Sequence, residues 1–246
     1  MFLFKREIHP AETDILKGFT DWHCHIVPGV DDGMRDLEDA LETLEYYQSL
    51  QVNEVIFTPH VMNGMPVNWE TIVQAYEHLK QQYRGNIQLR LGGEYMLDSG
   101  FKKRVEGGLQ PLKDKRVLVE TSYLAPPDCL FEMLYEVSIS GYIPVIAHPE
   151  RYLYMKPRDY SRLKNNEYLF QLNLLSLSDY YNKQVKERAE YLLDAGMYNL
   201  TGSDLHSREK FRYHWEHMKI SRRLFKKLEI LVEKSNGRPT GKNSPT

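Results

Sequence analysis

Short apolar runs of strand-forming residues alternate along the chain with longer stretches whose apolar residues recur at helical spacing. The runs predict strands at residues 19–25, 53–59, 87–93, 116–121, 143–147, 168–172 and 198–202. The amphipathic stretches predict helices at residues 37–47, 68–83, 98–106, 129–140, 182–195 and 214–233. Asp36 is the predicted N-cap of the first helix. Strands that alternate with helices pair in parallel through right-handed crossovers, so we expect a doubly wound sheet or a β/α barrel.

Most of the predicted strands end in side chains that bind metal ions. In an extended strand His23 and His25 point to the same face, ~7 Å apart. The candidates at the later strand ends are His60, Glu94, Glu120, His148, Asp204 and His206. Only the sixth strand, which ends near Asn173, supplies no such ligand. In a barrel all these ends open onto one mouth, whereas the edge strands of an open sheet lie too far apart.

The pattern therefore predicts a distorted, TIM-like (β/α)7 barrel in one domain, unless an eighth short strand lies in the first residues or in the 107–115 loop. A chain of 246 residues is long enough for such a domain. We assign 19–233 to the barrel and 1–18 to a leader that covers the barrel bottom or serves an interface. Residues 234–246 have no apolar side chain to pack, which predicts a disordered tail.

Two loops add charged candidates to the mouth. Asp31 and Asp32 follow Pro28-Gly29-Val30, a composition typical of turns. We interpret Asp31 as a turn residue and Asp32 as a ligand whose carboxylate helps to neutralise dications. Arg151 follows His148 by three residues. Nearby cations would repel its guanidinium unless an anion bridges them, and its planar fork suits phosphate. Arg151 therefore predicts a phosphate group on the substrate.

The predicted ligands mix imidazoles and carboxylates without thiolates, which suits Mn, Fe or Zn rather than a structural zinc site. They are too many for one ion, so we expect two or three divalent ions, with Mn preferred. Such clusters generate a hydroxide at neutral pH and clamp the oxygens of a phosphoryl group during in-line displacement. The sequence thus predicts phosphate-ester hydrolysis in which a metal-bound hydroxide attacks phosphorus. It selects no general acid, although Glu150 is a candidate.

Composition argues against several other classes of protein. A formal net charge of −2 disfavours a nucleic-acid-binding protein. Two cysteines without disulfide or zinc-finger spacing fit a reducing cytoplasm. The first residues become charged before a signal-peptide core could form, and no apolar run is long enough to span a membrane. We expect a cytoplasmic protein whose oligomeric state is open.

Several motifs together resemble the polymerase-and-histidinol-phosphatase (PHP) superfamily. Within it they are most similar to the CpsB/CapC-like bacterial protein-tyrosine phosphatases of capsular and exopolysaccharide biosynthesis. The resemblance covers about residues 19–230. The motifs are His-Cys-His-Ile-Val-Pro-Gly-Val-Asp-Asp-Gly at 23–33, Thr-Pro-His at 58–60, Gly-Gly-Glu-Tyr at 92–95, Val-Leu-Val-Glu at 117–120, Ile-Ala-His-Pro-Glu-Arg-Tyr at 146–152 and Ser-Asp-Leu-His at 203–206.

This resemblance implies a distorted (β/α)7 barrel, a trinuclear metal centre and hydrolysis of phosphotyrosine. The implied substrate is the phosphorylated, tyrosine-rich tail of a membrane-associated tyrosine autokinase. Glu94 would bridge two ions. Arg151 would bind the phosphate and stabilise the transition state, and Arg208 would be a second anion binder. The implied metal ligands are His23, His25, Asp32, His60, Glu94, Glu120, His148, Asp204 and His206.

Alternative functions remain open at the level of sequence. His23-Cys24 begins the His-Cys-x5-Arg loop of thiol phosphatases, yet Val30 occupies the position of the arginine. Cys24 should therefore pack away from the site, and no phosphocysteine should form. A histidinol-phosphatase-like enzyme for small molecules, a DNA exonuclease and a non-catalytic scaffold that binds the kinase are the other hypotheses. The near-neutral charge weakens the exonuclease hypothesis.

Overall fold

The computed structural model describes residues 7–65 and 67–237 of the chain. Its strands are β1 (Glu7–Ile8), β2 (Thr20–Cys24), β3 (Glu54–Phe57), β4 (His60–Val61), β5 (Gln88–Leu91), β6 (Glu94–Met96), β7 (Arg116–Glu120), β8 (Ile143–Ile146), β9 (Leu169–Asn173), β10 (Leu200–Gly202) and β11 (Ile220–Ser221). Its helices are α1 (Leu37–Ser49), α2 (Trp69–Gln82), α3 (Phe101–Glu106), α4 (Leu130–Ile139), α5 (Pro157–Asn165), α6 (Lys183–Asp194), α7 (Arg208–His217) and α8 (Arg222–Ser235).

The parallel strands form two sheets. One sheet has the order β2-β3-β5 and the other the order β10-β9-β8-β7-β6-β4. The sheets also meet where β10 returns to β2, because His25 N donates to Leu205 O at 3.0 Å and Asp204 N to His23 O at 2.8 Å. The strands therefore curl around a common interior, and the alternation of strands and helices predicted from the sequence is confirmed.

Apolar side chains fill both faces of the curled sheet. Inside it, a cluster formed largely by strand residues includes Trp22, Ile56, Leu118 and Val145. Outside it, a larger cluster joins the strands to the helices, whose inward faces bury leucines such as Leu44, Leu79, Leu134, Leu192 and Leu228. A stable interior and a helical coat thus hold the strand ends in place.

The predicted strands and helices differ from the structure in four places. Two predicted strands are each interrupted, so that 53–59 corresponds to β3 and β4 and 87–93 to β5 and β6. The single helix predicted at 214–233 is wrong: α7 ends at His217, β11 follows, and α8 begins at Arg222. Helix α5 was not predicted, because its polar sequence buries only Tyr160 and Leu163. The predicted N-cap is confirmed, since Asp36 Oδ1 accepts from Asp39 N at 3.0 Å.

The described part of the leader is packed on the body of the protein. Strand β1 pairs with β11 in antiparallel register, and Leu16 is buried in the main core. No strand lies in the 107–115 loop, all of which is described, and β1 belongs to a separate two-stranded sheet. Residues 1–6 of the predicted leader lie outside the described residues.

The disordered tail predicted at 234–246 begins too early, because α8 extends to Ser235. Ser235 Oγ accepts from Thr201 N at 3.1 Å, and Asn236 Oδ1 accepts from Thr20 N at 2.8 Å. These residues are held by the strands they contact. Residues 238–246 of the predicted tail lie outside the described residues. Across the described ranges, no helix combines the length and apolar character needed to cross a bilayer.

Candidate metal centre

The carboxyl ends of the parallel strands bring all nine predicted ligands together. Their ligand atoms form four overlapping groups, and within each group the atoms lie within 4.8 Å of one another. The groups are His25-Asp32-His60-His206, His23-His25-Asp204, His23-Glu94-His148 and His60-Glu94-Glu120. Each group mixes imidazole and carboxylate. Shared members join the groups into one cluster.

The first part of the cluster surrounds the imidazole pair that follows β2. His23 Nε2 lies 3.1 Å from His25 Nε2. Asp204 Oδ1 lies 3.3 and 3.4 Å from these two nitrogens, and Glu94 Oε2 also lies 3.3 and 3.4 Å from them. Donors bound ~2.1 Å from an ion at tetrahedral or octahedral angles lie about 3.0–3.4 Å apart. The spacing is therefore that of ligands around one ion.

A second convergence adjoins the first through Glu94. His60 Nδ1 lies 3.0 Å from Glu94 Oε2 and 3.0 Å from Glu120 Oε1. The other oxygen of Glu94 lies 3.1 Å from His148 Nε2. Glu94 is buried and has imidazoles on both sides, which is the position a bridging carboxylate would take.

The third convergence lies nearer to solvent. Asp32 Oδ1 is 3.3 Å from His206 Nε2 and 3.5 Å from His60 Nε2, and the Asp32 side chain is 74% exposed. The loop reaches the mouth because Gly33 lies against the backbone of His25, where a Cβ would come within 2.0 Å of the His25 carbonyl oxygen. Only glycine fits this close approach.

Unpartnered buried atoms test whether the site fits metal ions. Among the described residues, His60 Nδ1, Glu94 Oε2 and Glu120 Oε1 are buried without a hydrogen-bond partner. These atoms are close together, but their angles do not suit hydrogen bonds with each other. Buried polar atoms without partners are costly. Divalent ions would satisfy them, and a donor set of imidazole and carboxylate suits Mn, Fe or Zn. The residues fit the predicted metal centre.

Electrostatics keep two of the buried carboxylates, those of Glu94 and Asp204, charged inside the protein, whereas burial raises the pKa of Glu120. Burial alone would raise the pKa of Glu94, but the charges of His23 and His60 hold it well below its usual range. The pKa of Asp204 is also held well below its usual range, because His23 and His25 outweigh its burial. Burial, followed by the charge of Arg151, lowers the pKa of His148 to about 4. His148 is therefore neutral at physiological pH, the form in which imidazole binds metals.

Two of the predicted ligands have a strained backbone. His148 has φ of 31° and Asp204 has φ of 52°, so both lie in the left-handed region. Non-glycine residues rarely adopt this conformation, and such strain concentrates at functional sites. Both residues follow the end of a strand, where the turn aims the side chain into the mouth.

Polar residues that the sequence analysis did not assign to the site orient the ligands. Gln171 Oε1 lies 2.9 Å from His23 Nδ1, and Asp31 Oδ2 lies 2.8 Å from His25 Nδ1. Asn173 Nδ2 donates to Asp204 Oδ2 at 2.8 Å. Asp31, interpreted as a turn residue, therefore also positions a ligand. Gln171 and Asn173 are two positions apart in β9, as His23 and His25 are in the chain. This spacing is the sequence signal that could identify them as site residues.

Arg151 borders the cluster between two aromatic rings. Its Nη1 donates to Asp204 Oδ2 at 2.8 Å. Its guanidinium carbon lies 4.2 Å from the centre of the Tyr123 ring and 4.4 Å from that of Tyr181. Burial opposes its charge, yet Asp204 raises the pKa of Arg151 above its ordinary value. A rigid, charged guanidinium is thus held beside the ligands.

Other candidate residues lie in different surroundings. The ion-pair partners of Arg208 among the described residues are Glu42 and Glu209, so the structure does not bring it to the nine side chains. Glu150 is turned into the interior, where its oxygens accept from Asn173 N at 3.0 Å and Tyr198 Oη at 2.9 Å.

Cys24 is also placed away from the chemistry. Its thiol is fully buried, and Sγ lies 3.7 Å from Ile56 O. Burial raises the pKa of the Cys24 thiol well above its ordinary value. The expectation that Cys24 faces away from the histidine pair and packs is confirmed, and the thiol is unsuited to act as a nucleophile.

Comparison with known proteins shows the family to which this chain belongs. Residues 19–229 match the model of the family "Capsular polysaccharide synthesis, CpsB/CapC". The chain belongs to the CpsB/CapC family. Among its relatives, tyrosine-protein phosphatase YwqE of Bacillus subtilis is 30% identical over 207 residues, which cover 79% of this chain and 80% of YwqE. Tyrosine-protein phosphatase CpsB of Streptococcus agalactiae serotype V is 26% identical over 204 residues, which cover 76% of this chain and 82% of CpsB.

A solved structure shows that the similarity extends to the fold. A crystal structure from a study of YwqE of Bacillus subtilis and CpsB of Streptococcus pneumoniae, described there as metal-dependent tyrosine phosphatases, superposes with a TM-score of 0.70. The two chains share 26% identity, and the match covers 92% of this chain and 98% of the other. The α/β fold with its curled parallel sheet is therefore shared with a metal-dependent phosphatase of the family.

Proposed function

We propose that this chain is a metal-dependent protein-tyrosine phosphatase of capsular or exopolysaccharide synthesis. The observation that carries the proposal is the convergence of nine imidazole and carboxylate ligands beside the clamped guanidinium of Arg151. The names of the relatives support it. The proposed substrate is the phosphorylated, tyrosine-rich tail of a membrane-associated tyrosine autokinase.

The nine side chains would hold two or three divalent ions, with Mn preferred over Fe and Zn. When bound, these ions would activate the attacking water and neutralise charge on the phosphoryl oxygens. We propose the nine predicted residues as the ligands, with Glu94 as the bridging carboxylate, because Glu94 belongs to two of the four groups. Gln171 and Asp31 would fix the orientation of the first two imidazoles through their hydrogen bonds.

Arg151 would bind the phosphate of the substrate. One of its N–H groups is engaged by Asp204, which leaves further donors of the planar fork for phosphoryl oxygens. The rings of Tyr123 and Tyr181 restrict the plane of the guanidinium, so little ordering remains to be done on binding. Arg208 is a weaker candidate for this role, because Glu42 and Glu209 already engage its charge.

Chemistry favours an aryl phosphate over an alkyl phosphate. The tyrosine phenolate, with a pKa of about 10, is a much better leaving group than a serine alkoxide. A dedicated general acid is then less important. The inward-facing carboxyl of Glu150, which is hydrogen-bonded to Asn173 and Tyr198, fits this interpretation. Phosphotyrosine is therefore the proposed substrate group.

The proposed architecture is one distorted (β/α)7 barrel. Strands β3 and β4 are separated by only two residues, as are β5 and β6, so each pair counts as one interrupted barrel strand. With β2, β7, β8, β9 and β10 this gives seven. The hydrogen bonds between the residues that follow β10 and those of β2 support closure.

We also propose a cytoplasmic location. Cys24 and Cys129 are free cysteines, and the second is exposed, which fits a reducing compartment. Nucleic acid is not a proposed partner, because the formal net charge is −2.

Parallel rate measurements test the proposal. Protein with metal content determined by elemental analysis is assayed on a phosphotyrosine peptide, histidinol phosphate and single-stranded DNA. We expect the peptide to be hydrolysed fastest. Asp204→Ala should lose metal and rate together, whereas Cys24→Ser should keep both. Faster turnover of histidinol phosphate would contradict the substrate, and the opposite behaviour of the two variants would contradict the metal mechanism.

A further inference from the structure

A polar cavity lies at the opposite end of the parallel strands from the candidate metal centre. Its volume is about 270 Å³, and its lining includes the first residues of β2, β7, β9 and β10, together with the end of α8. The predicted metal ligands, in contrast, lie at or beyond the carboxyl ends of β2, β3, β5, β7, β8 and β10. The residues that matter for its chemistry are Trp22, Lys113, Arg116, Asn199, Lys234 and Asn236.

The lining of this cavity carries an excess of positive charge. Among the described residues of the lining, Lys113, Arg116 and Lys234 face one acidic residue, Asp114. Lys113 Nζ lies 2.7 Å from Glu54, but the same carboxylate also pairs with Arg90 and cannot neutralise both. The arrangement leaves a local positive charge of about +2, which favours an anion.

Two of the three cations, Arg116 and Lys234, have hydrogen-bond donors without a partner among the described residues. Arg116 pairs with Asp114 through Nη1 at 3.1 Å, yet its Nε is buried without a hydrogen-bond partner among the described residues. Lys234 has no ion pair with any carboxylate in the described ranges. Burial, followed by the charge of Lys234, lowers the pKa of Lys164, so the two cations repel each other. An anion in the cavity would satisfy the buried N–H and neutralise Lys234.

The two asparagines in the lining add further donors. Asn236 Oδ1 already accepts from Thr20 N at 2.8 Å. Asn199 Oδ1 accepts from Lys164 Nζ at 2.7 Å and from Phe170 N at 3.1 Å. Because both amide oxygens are engaged, the amide NH₂ groups are what each residue can still offer to a ligand. Cations and amide donors together form a lining that recognises anions.

We propose that this cavity binds the phosphate group of a small phosphorylated molecule. A phosphate monoester carries a charge of about −1.5 to −2 at pH 7, which matches the excess in the lining. The volume of about 270 Å³ is near the lower limit of ligand pockets, ~300 Å³, so the occupant is a small molecule rather than a peptide segment.

The occupant would be separated from the metal centre. The apolar cluster that contains Trp22, Ile56, Leu118 and Val145 fills the interior between the two ends of the strands. Trp22 forms part of the cavity wall. Lys113 Nζ and the guanidinium carbon of Arg116 lie 5.7 and 5.4 Å from the centre of its ring. Binding should therefore be independent of Arg151 and of the proposed phosphatase reaction.

Calorimetric titration with glucose 6-phosphate tests the site. The titration uses the metal-loaded Arg151→Ala protein, in which phosphate binding at the mouth is weakened and hydrolysis is slowed. We expect one binding event that Lys234→Met or Lys113→Met weakens by about 10-fold, the value of one charge-assisted hydrogen bond. Lys80→Met, on the exposed face of α2, is the matched control and should leave the affinity unchanged.

Lys113→Met also removes the ion pair with Glu54, so its effect could have a second cause. Lys234→Met has no such second effect, because Lys234 has no ion pair among the described residues. Glucose should give no heat, which would show that the phosphate is recognised. Failure of folded Arg151→Ala protein to bind glucose 6-phosphate would overturn the proposal. Binding that survives Lys234→Met and Lys113→Met unchanged would also overturn it.

Discussion

At the scale of single residues, Gln171 orients one imidazole of the candidate metal centre. Its Oε1 lies 2.9 Å from His23 Nδ1 and also accepts from His148 N at 3.3 Å. An acceptor at Nδ1 places the proton there and leaves Nε2 free to bind an ion. The amide therefore selects the useful tautomer.

Replacing this amide should weaken metal binding without unfolding the protein. We expect Gln171→Leu to lower metal affinity by ~10–100-fold, the usual cost of removing such a partner. Calorimetric titration of the chelated protein with Mn²⁺ measures the change. Gln82→Leu, at the exposed end of α2, is the control and should behave as the unmodified chain. Equal affinity of Gln171→Leu would show that the hydrogen bond does not orient His23.

The residue scale also shows what the sequence could predict. Eight of the nine proposed ligands are predicted from the ends of strands, a rule that depends only on local order along the chain, and Asp32 is predicted from the loop after the first strand. The residues that support them were not predicted, since glutamine and asparagine occur in many strands and their partners are distant in sequence. His23 and Gln171 are 148 positions apart. Only the folded arrangement shows that Gln171 and Asp31 hold particular imidazoles.

At the scale of elements, the start of α1 follows the loop that carries Asp31 and Asp32. The Asp36 carboxylate accepts from Asp39 N at 3.0 Å and satisfies one of the free N–H groups of the first turn. The negative charge also interacts favourably with the helix dipole. The cap therefore stabilises the helix and fixes the exit of the loop that carries Asp31 and Asp32.

Removal of this cap should cost stability more than activity. We expect Asp36→Ala to lower the free energy of unfolding by ~1 kcal/mol. Asp36→Asn keeps an oxygen at the cap and should cost only a few tenths of a kcal/mol, from the lost charge. Urea unfolding of the three proteins measures the difference. A loss for Asp36→Asn equal to that for Asp36→Ala would contradict a hydrogen-bonding role.

Elements built from local pattern were predicted well, and elements that depend on distant contacts were not. The apolar positions from Trp215 to Leu231 continue almost without interruption, so they predict one helix. The break at β11 exists because Ile220 and Ser221 pair with Glu7 and Ile8, more than 200 residues earlier in the chain. Local periodicity contains no information about that pairing.

At the scale of the whole molecule, the candidate metal centre joins residues from most of the parallel strands. Its proposed ligands come from the ends of β2, β7, β8 and β10, from β4 and β6, and from the loop that follows β2. In the unfolded chain these residues are up to 183 positions apart, from His23 to His206. Ions bound here would therefore stabilise only the folded state, and binding would add to the stability of the fold.

Removal of metal should therefore lower the melting temperature of the entire protein. At a free ion concentration 1,000 times the Kd, one site contributes about 4 kcal/mol, and a chain of this size gains ~2–4 °C per kcal/mol. We expect chelation to lower the Tm by about 10 °C and Mn²⁺ to restore it, as measured by calorimetry. Asp204→Ala should lose most of this response, while Asp36→Ala should keep it. An unchanged Tm after chelation, with hydrolysis abolished, would show that the ions serve the reaction without stabilising the fold.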